Sequence, residues 1–169
     1  MREVSALSVG VVDLIGRPGS HRHVDFSALV EAMGLDMGGL VDEIPLHFDL
    51  ELESVVEGIL VSGTVSGEAE MECCRCLGVF RLAVEARVRE RFSLPGDTDA
   101  EEGYGVVDDV LPLETMTRDA LLLAIAVNPL CRNDCRGLCS ECGADLNAGE
   151  CAHAAGAGSP AGSTSGSAN

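Results

Sequence analysis

Five cysteines and one histidine crowd residues 131–153: Cys131, Cys135, Cys139, Cys142, Cys151 and His153. Within them, Cys139-Ser140-Glu141-Cys142-Gly143 has the form of a zinc knuckle. Two thiolates three positions apart grip one ion from a tight turn, and a glycine just after lets the backbone fold round the sulfurs. A structural zinc needs four such ligands in a tetrahedron. The spacing predicts Cys131, Cys135, Cys139 and Cys142 as the set, with Cys151 or His153 able to replace Cys131. Few large apolar residues lie nearby (Leu130, Leu138, Leu146), so the segment cannot build its own core. A metal supplies the missing stabilisation, on the order of 10 kcal/mol in small zinc peptides. Packing as small hydrophobes explains single buried cysteines better than a cluster in a loop rich in Gly, Asn and Asp.

A second group, Cys73-Cys74-Arg75-Cys76, holds another C-x2-C through Cys73 and Cys76. This thiol pair joins the same metal across space, binds separately or stays reduced; the sequence leaves all three open. A redox dithiol is the sharper reading. Against it, the motif follows a strand pattern and no helix pattern begins after it, unlike a thioredoxin-like site. Neither a phosphate-binding glycine loop, nor G-x-S-x-G, nor H-E-x-x-H is present, and no catalytic residue is assigned. His21, His23 and His47 read as surface histidines, and Glu53, Glu57 and Glu68 as solvated acids.

The scaffold for these groups is legible in the hydrophobic pattern. Residues 4–14 read as a first strand and 17–20 as a turn. Residues 27–33 suit a short helix capped by Ser27, and Gly38-Gly39 breaks the chain. Leu46, Phe48, Leu50 and Leu52 alternate with His47, Asp49, Glu51 and Glu53, a strand with one wet face. Residues 55–65 predict the next strand, Gly67 a turn, 68–72 a third strand and 79–92 a fourth, together an antiparallel meander. An acidic loop spans 95–105, and Val106-Val107 and Val110-Leu111 suit a short interrupted strand. Residues 114–127 carry the clearest helical spacing, with Met116, Ala120, Leu123, Ala124 and Val127 on the apolar face and Pro129 as the stop. The expected fold is α+β: an antiparallel β-rich core, one main covering helix at about 114–127, and a cysteine-rich, zinc-knuckle-like C-terminal segment. Residues 1–153 form one domain, and 154–169, without a large apolar residue, a disordered tail.

The chain holds 28 acidic residues against 11 basic ones, all arginine, for a net charge of −17. That balance argues against wrapping nucleic acid nonspecifically and favours a protein partner or a small local basic site. Arg81, Arg87, Arg89 and Arg91 share one face of the predicted fourth strand, with Arg75 close in sequence. They read either as an RNA-phosphate contact or as a solvated face neutralised by Glu85 and the acidic loop. The lack of an aromatic platform favours the second. No signal peptide or spanning segment is recognised, so the expected compartment is the cytoplasm, where thiols stay reduced and a disulfide framework is disfavoured.

Three stretches stand in order: Leu52 through Val65; Cys73-Cys74-Arg75-Cys76-Leu77; and Pro129-Leu130-Cys131 followed by Cys135 through Asn147. On these the chain resembles the YceD family, the second stretch being similar to its C-x-R-C-L signature. The resemblance covers roughly residues 4–153. It implies a non-enzymatic role in synthesis, processing or stability of 23S ribosomal RNA, with ribosome assembly intermediates or ribosomal proteins as partners and rRNA contact open. Some members lack the C-terminal cysteines, so metal is not essential to the family's shared task. Members with the motif often end it in C-x-C, where this chain has Cys151-Ala152-His153. The alternatives are a cysteine-based redox protein and a zinc-stabilised interaction module unrelated to ribosomes.

Overall fold

A computed structural model describes residues 7–29, 34–35, 38–40, 45–96, 103–149 and 151–153. The strands are β1 (Ser8–Gly10), β2 (His21–Ala28), β3 (Gly34–Leu35), β4 (Gly38–Leu40), β5 (Leu46–Val55), β6 (Gly58–Glu72), β7 (Val79–Ser93), β8 (Tyr104–Gly105) and β9 (Val110–Pro112). One helix, α1 (Glu114–Ala124), follows them. The fold is α+β and mostly antiparallel, as the hydrophobic pattern predicts. No helix among the described residues is long and apolar enough to cross a membrane.

β6 and β7 are the spine, fifteen residues each and paired along their whole length. Their alternation places Ile59, Val61, Val65, Ala69 and Met71 of β6 inward beside Val84, Ala86, Val88 and Phe92 of β7. The other edge of β6 is shared: β5 pairs with Gly58–Ser66, then β4 with Ala69–Met71. β2 lies outside β5, and β8 runs parallel to the end of β7. Leu46, Phe48, Leu50 and Leu52 of β5 complete the inward face. Burying each such side chain contributes about 1.5–3 kcal/mol.

Over this face lie Leu7, Val11 and Leu14, the β1–β9 ribbon through Leu111, and α1 through Met116 and Leu121. α1 packs against β7. It ends at Ala124, short of the predicted 127, because Ile125 takes extended backbone (φ −78°, ψ 129°). Its buried positions are Met116, Thr117 and Leu121, whereas Leu123 is 88 % and Val127 80 % exposed. The true inner stripe follows from Leu113, itself fully buried.

Four further expectations differ. The first strand shrinks to Ser8–Gly10, and a turn held by Leu14 N–H to Val11 O (2.9 Å) follows. Ser27 and Ala28 belong to β2, not to a helix; 30–33 lie outside the described residues. Gly38-Gly39 starts a short strand rather than breaking the chain. At Gly67 the predicted turn is absent and β6 runs straight through. A Cβ there would collide with the Leu46 side chain, so this glycine makes room where β6 exchanges β5 for β4. The predicted tail at 154–169 and most of the acidic loop (97–102) lie outside the described residues.

Candidate metal centres

The loop joining β6 to β7, residues 73–78, is the Cys73–Cys76 motif. Cys73 N–H donates to Gly78 O (3.0 Å) and Leu77 N–H to Cys73 O (2.9 Å), closing a tight turn with Leu77 at φ +57°. After α1 the chain runs onto this loop. Cys74 N–H donates to Pro129 O (3.0 Å) and Leu138 N–H to Arg75 O (3.1 Å). The Arg75 guanidinium donates to Cys135 O (2.9 Å). Gly137 has φ +74°, and a Cβ there would stand 2.9 Å from Arg75 O, so a side chain would push the segment off the loop.

This docking brings four thiols together. Cys73 Sγ lies 3.8 Å from Cys135 Sγ, and Cys76 Sγ 3.8 Å from Cys131 Sγ. All four sulfurs fall within 4.8 Å of one another. A tetrahedron of metal–sulfur bonds about 2.3 Å long has sulfur–sulfur edges of about 3.8 Å. A disulfide requires about 2.05 Å, and all eight cysteines are free.

A second set follows at once. Cys139 N–H donates to Ala144 O (2.9 Å) and Gly143 N–H to Cys139 O (2.8 Å), making a small knuckle with Gly143 at φ +71°. The Leu138–Asp145 bridge and Leu146 N–H to Gly137 O (3.0 Å) close its base. Ligand atoms of Cys139, Cys142, Cys151 and His153 lie within 4.8 Å of one another.

In both sets the sulfurs compete for charge. Peptide N–H groups of Cys131 and then Cys76 pull the Cys73 thiol down to about 6. Burial, then the facing sulfurs, push Cys131 up to about 12. In the knuckle, N–H groups of Cys142 and Glu141 lower Cys139 to about 7. At Cys142 the Ala144 N–H lowers the thiol, but the neighbouring sulfurs and burial outweigh it and raise the thiol. Four thiolates so close repel one another; a divalent cation at their centre removes that repulsion and deprotonates coordinating thiols. The donor types, number and spacing of both sets thus fit a thiophilic, tetrahedral ion.

The sequence profile described as the large ribosomal RNA subunit accumulation protein YceD matches residues 61–161. The chain belongs to the YceD family. It is also 38 % identical over 153 residues to uncharacterized proteins of Mycobacterium tuberculosis and Mycobacterium bovis, covering 84 % of this chain and 72 % of each relative. An uncharacterized protein of Mycobacterium leprae is 37 % identical over 119 residues, 68 % of this chain and 55 % of the relative. No solved structure matches.

In this YceD-family chain the six C-terminal candidates do not share one site. The predicted quartet is divided: Cys131 and Cys135 turn to Cys73 and Cys76, while Cys139 and Cys142 turn to Cys151 and His153. The physical reason is the docking of 129–138 on the β6–β7 loop, a contact between distant parts of the chain that local spacing does not encode. Cys73 and Cys76 lie with Cys131 and Cys135, two of the four predicted ligands, and apart from Cys139 and Cys142. Asn147 went unrecognised as part of a site. Its side-chain oxygen accepts from Arg132 Nη2 and Arg136 N–H (both 2.8 Å), and its NH2 donates to Asp145 Oδ1 (2.7 Å) and Cys135 Sγ (3.5 Å).

The arginines divide too. Arg81 faces Glu70 (3.7 Å), Arg91 faces Glu57 (3.7 Å), and Arg75 is engaged with Cys135 O. Arg87 and Arg89 stand opposite Thr64 and Ser62 of β6, with no acidic partner among the described residues. His23 pairs with Asp49 (2.8 Å) and His47 with Asp25 (3.6 Å) on the same wet face.

Proposed function

We propose that this chain is a non-enzymatic, cytoplasmic factor that supports synthesis, processing or stability of 23S ribosomal RNA during large-subunit assembly. The observation that carries the reading is the joining of two family motifs into one surface: residues 129–138 dock on the Cys73–Leu77 loop through Pro129 O, Arg75 O and Cys135 O. A surface assembled from distant motifs suits partner docking better than chemistry. The family's described role in large-subunit rRNA accumulation gives the process. The net charge of −17 makes a basic ribosomal protein, or an assembly intermediate displaying one, the complementary partner. The resident ion is zinc, held structurally, since thiolate-rich tetrahedral sets without an open position suit it. Deleting the gene and measuring 23S precursor and mature levels tests this; unaltered rRNA rejects it.

The alternative is a redox dithiol of Cys73 and Cys76, but Cys73 is fully buried, whereas reactive thiols are partly exposed. Alkylation of the metal-loaded protein separates the two: protected Cys73 and Cys76 beside a reactive, exposed Cys74 support zinc thiolates, whereas Cys73 reacting as fast as Cys74 supports the redox pair.

A further inference from the structure

We propose that the chain carries two metal ions of unequal standing. The Cys73/Cys76/Cys131/Cys135 centre is a permanent tie between the C-terminal segment and the β6–β7 loop. The Cys139/Cys142/Cys151/His153 centre exchanges its ion, and the knuckle's link to residues 151–153 comes and goes with it. The inference rests on the metal reading above and goes beyond it in number, ligand sets and behaviour.

The first centre is preorganised by bonds that do not involve the ion. Its ligands come in pairs from positions about sixty residues apart, Cys73 with Cys135 and Cys76 with Cys131. Yet the main-chain bonds at Cys74 and Leu138, and the Arg75 clamp on Cys135 O, bring both halves together on their own. Cys73 and Cys135 are buried, Cys76 is half-buried and Cys131 exposed, and Cys135 Sγ receives the Asn147 amide. Such an outer hydrogen bond fixes a ligand and raises affinity about 10- to 100-fold. Leaving this centre, the ion would abandon sulfurs that these bonds keep near one another.

The second centre is built the opposite way. Only Cys139 is buried; Cys142 and His153 are exposed and Cys151 is half-buried. Cys139 and Cys142 are set by the knuckle's own main-chain bonds. Cys151 and His153 come from beyond the bridge that closes it, past the turn in which Ala148 N–H meets Asp145 O (3.2 Å). This set has two exposed ligands against one in the first centre, and an imidazole in place of a thiolate, which give water and competing chelators a wider way to the ion. Losing it frees 151–153 while the knuckle and the first centre stay.

The experiment is metal counting on the purified full chain by native mass spectrometry, followed by timed challenge with a chelator (EDTA). The expected result is two zinc ions per chain, one leaving about tenfold or more faster than the other. The double variant Cys151→Ser, His153→Ala should keep one ion and lose the fast phase, with thermal unfolding of the β core unchanged. Cobalt substitution reads the ligands directly, because four-sulfur and three-sulfur, one-nitrogen sets absorb at different wavelengths. A protein holding no metal in any preparation removes the zinc reading itself. A single ion leaves that reading standing and overturns the two-centre inference. Two ions departing together, or a variant that loses the slow ion, overturns the inequality.

Discussion

Asn147 donates its side-chain amide to Cys135 Sγ at 3.5 Å, linking the segment after the knuckle to the four-cysteine cluster. The same side chain accepts from Arg132 and Arg136 and so pins the 131–136 turn to 145–147. Asn147→Ala removes the donor and the acceptor together. The expected loss of metal affinity at the first cluster is about 10-fold, measured by competition with a chromogenic chelator. Unchanged affinity would show that Asn147 acts on the turn alone.

Gly137 sits at φ +74° with its missing Cβ aimed at Arg75 O. Gly137→Ala meets left-handed strain and a backbone clash at once, about 1–3 kcal/mol. Leu138 N–H then loses its hold on Arg75 O. The variant should expose 129–149 to protease at low enzyme ratios while β5, β6 and β7 stay protected. Digestion at the wild-type rate would show that the segment tolerates the side chain.

The β core was readable from sequence because period-two alternation is a local signal, and Leu46 through Leu52 follow it. Helix α1 was readable in position but not in facing. Its leucines surround the axis, and only the contact with β7 decides that Leu121 is buried and Leu123 exposed. The cysteines were recognisable as ligands by type. Their partition was not, because it depends on the Pro129–Leu138 stretch landing on a loop formed more than fifty residues earlier. Gly67 misled for a related reason: it marks a close approach of Leu46 inside a strand, not a turn.

On the wet face, Asp49 accepts from His23 and holds the imidazole above its ordinary 6.5. A histidine raised on folding contributes stability fully present below its unfolded pKa, and the contribution fades as pH rises through the folded value. The expected outcome is a His23 NMR titration midpoint above 6.5 that falls back in Asp49→Asn. The small stabilisation should fade between pH 6.5 and that midpoint in the wild type and be reduced in Asp49→Asn. Identical midpoints in both proteins would refute the pairing.

Arg87 and Arg89 stand beside hydroxyl groups rather than acids, yet the acidic residues Asp49 and Glu51 lie one strand further on. No aromatic side chain joins them at their cross-strand positions, and the body is strongly anionic. Arg87→Glu with Arg89→Glu should therefore leave 23S rRNA levels as in wild type. Loss of rRNA accumulation together with a salt slope for RNA binding lowered by about two would make them phosphate contacts instead.

Metal removal separates the two layers of stability. The inward face, from Phe48 through Phe92, is buried in a cluster that contains no cysteine. The segment 129–149 places few large side chains in that core and depends on main-chain contacts to one loop. Stripping both ions under reducing conditions should leave the β-sheet signal of circular dichroism and the main melting transition nearly intact. Hydrogen exchange in 129–149 should rise at least about tenfold, because a segment that lacks its own core opens locally once the ion is gone. If the whole chain instead unfolds in one step on chelation, the cysteine centres hold the sheet together as well. The hairpin loop at Cys73 would then be the point through which that coupling passes.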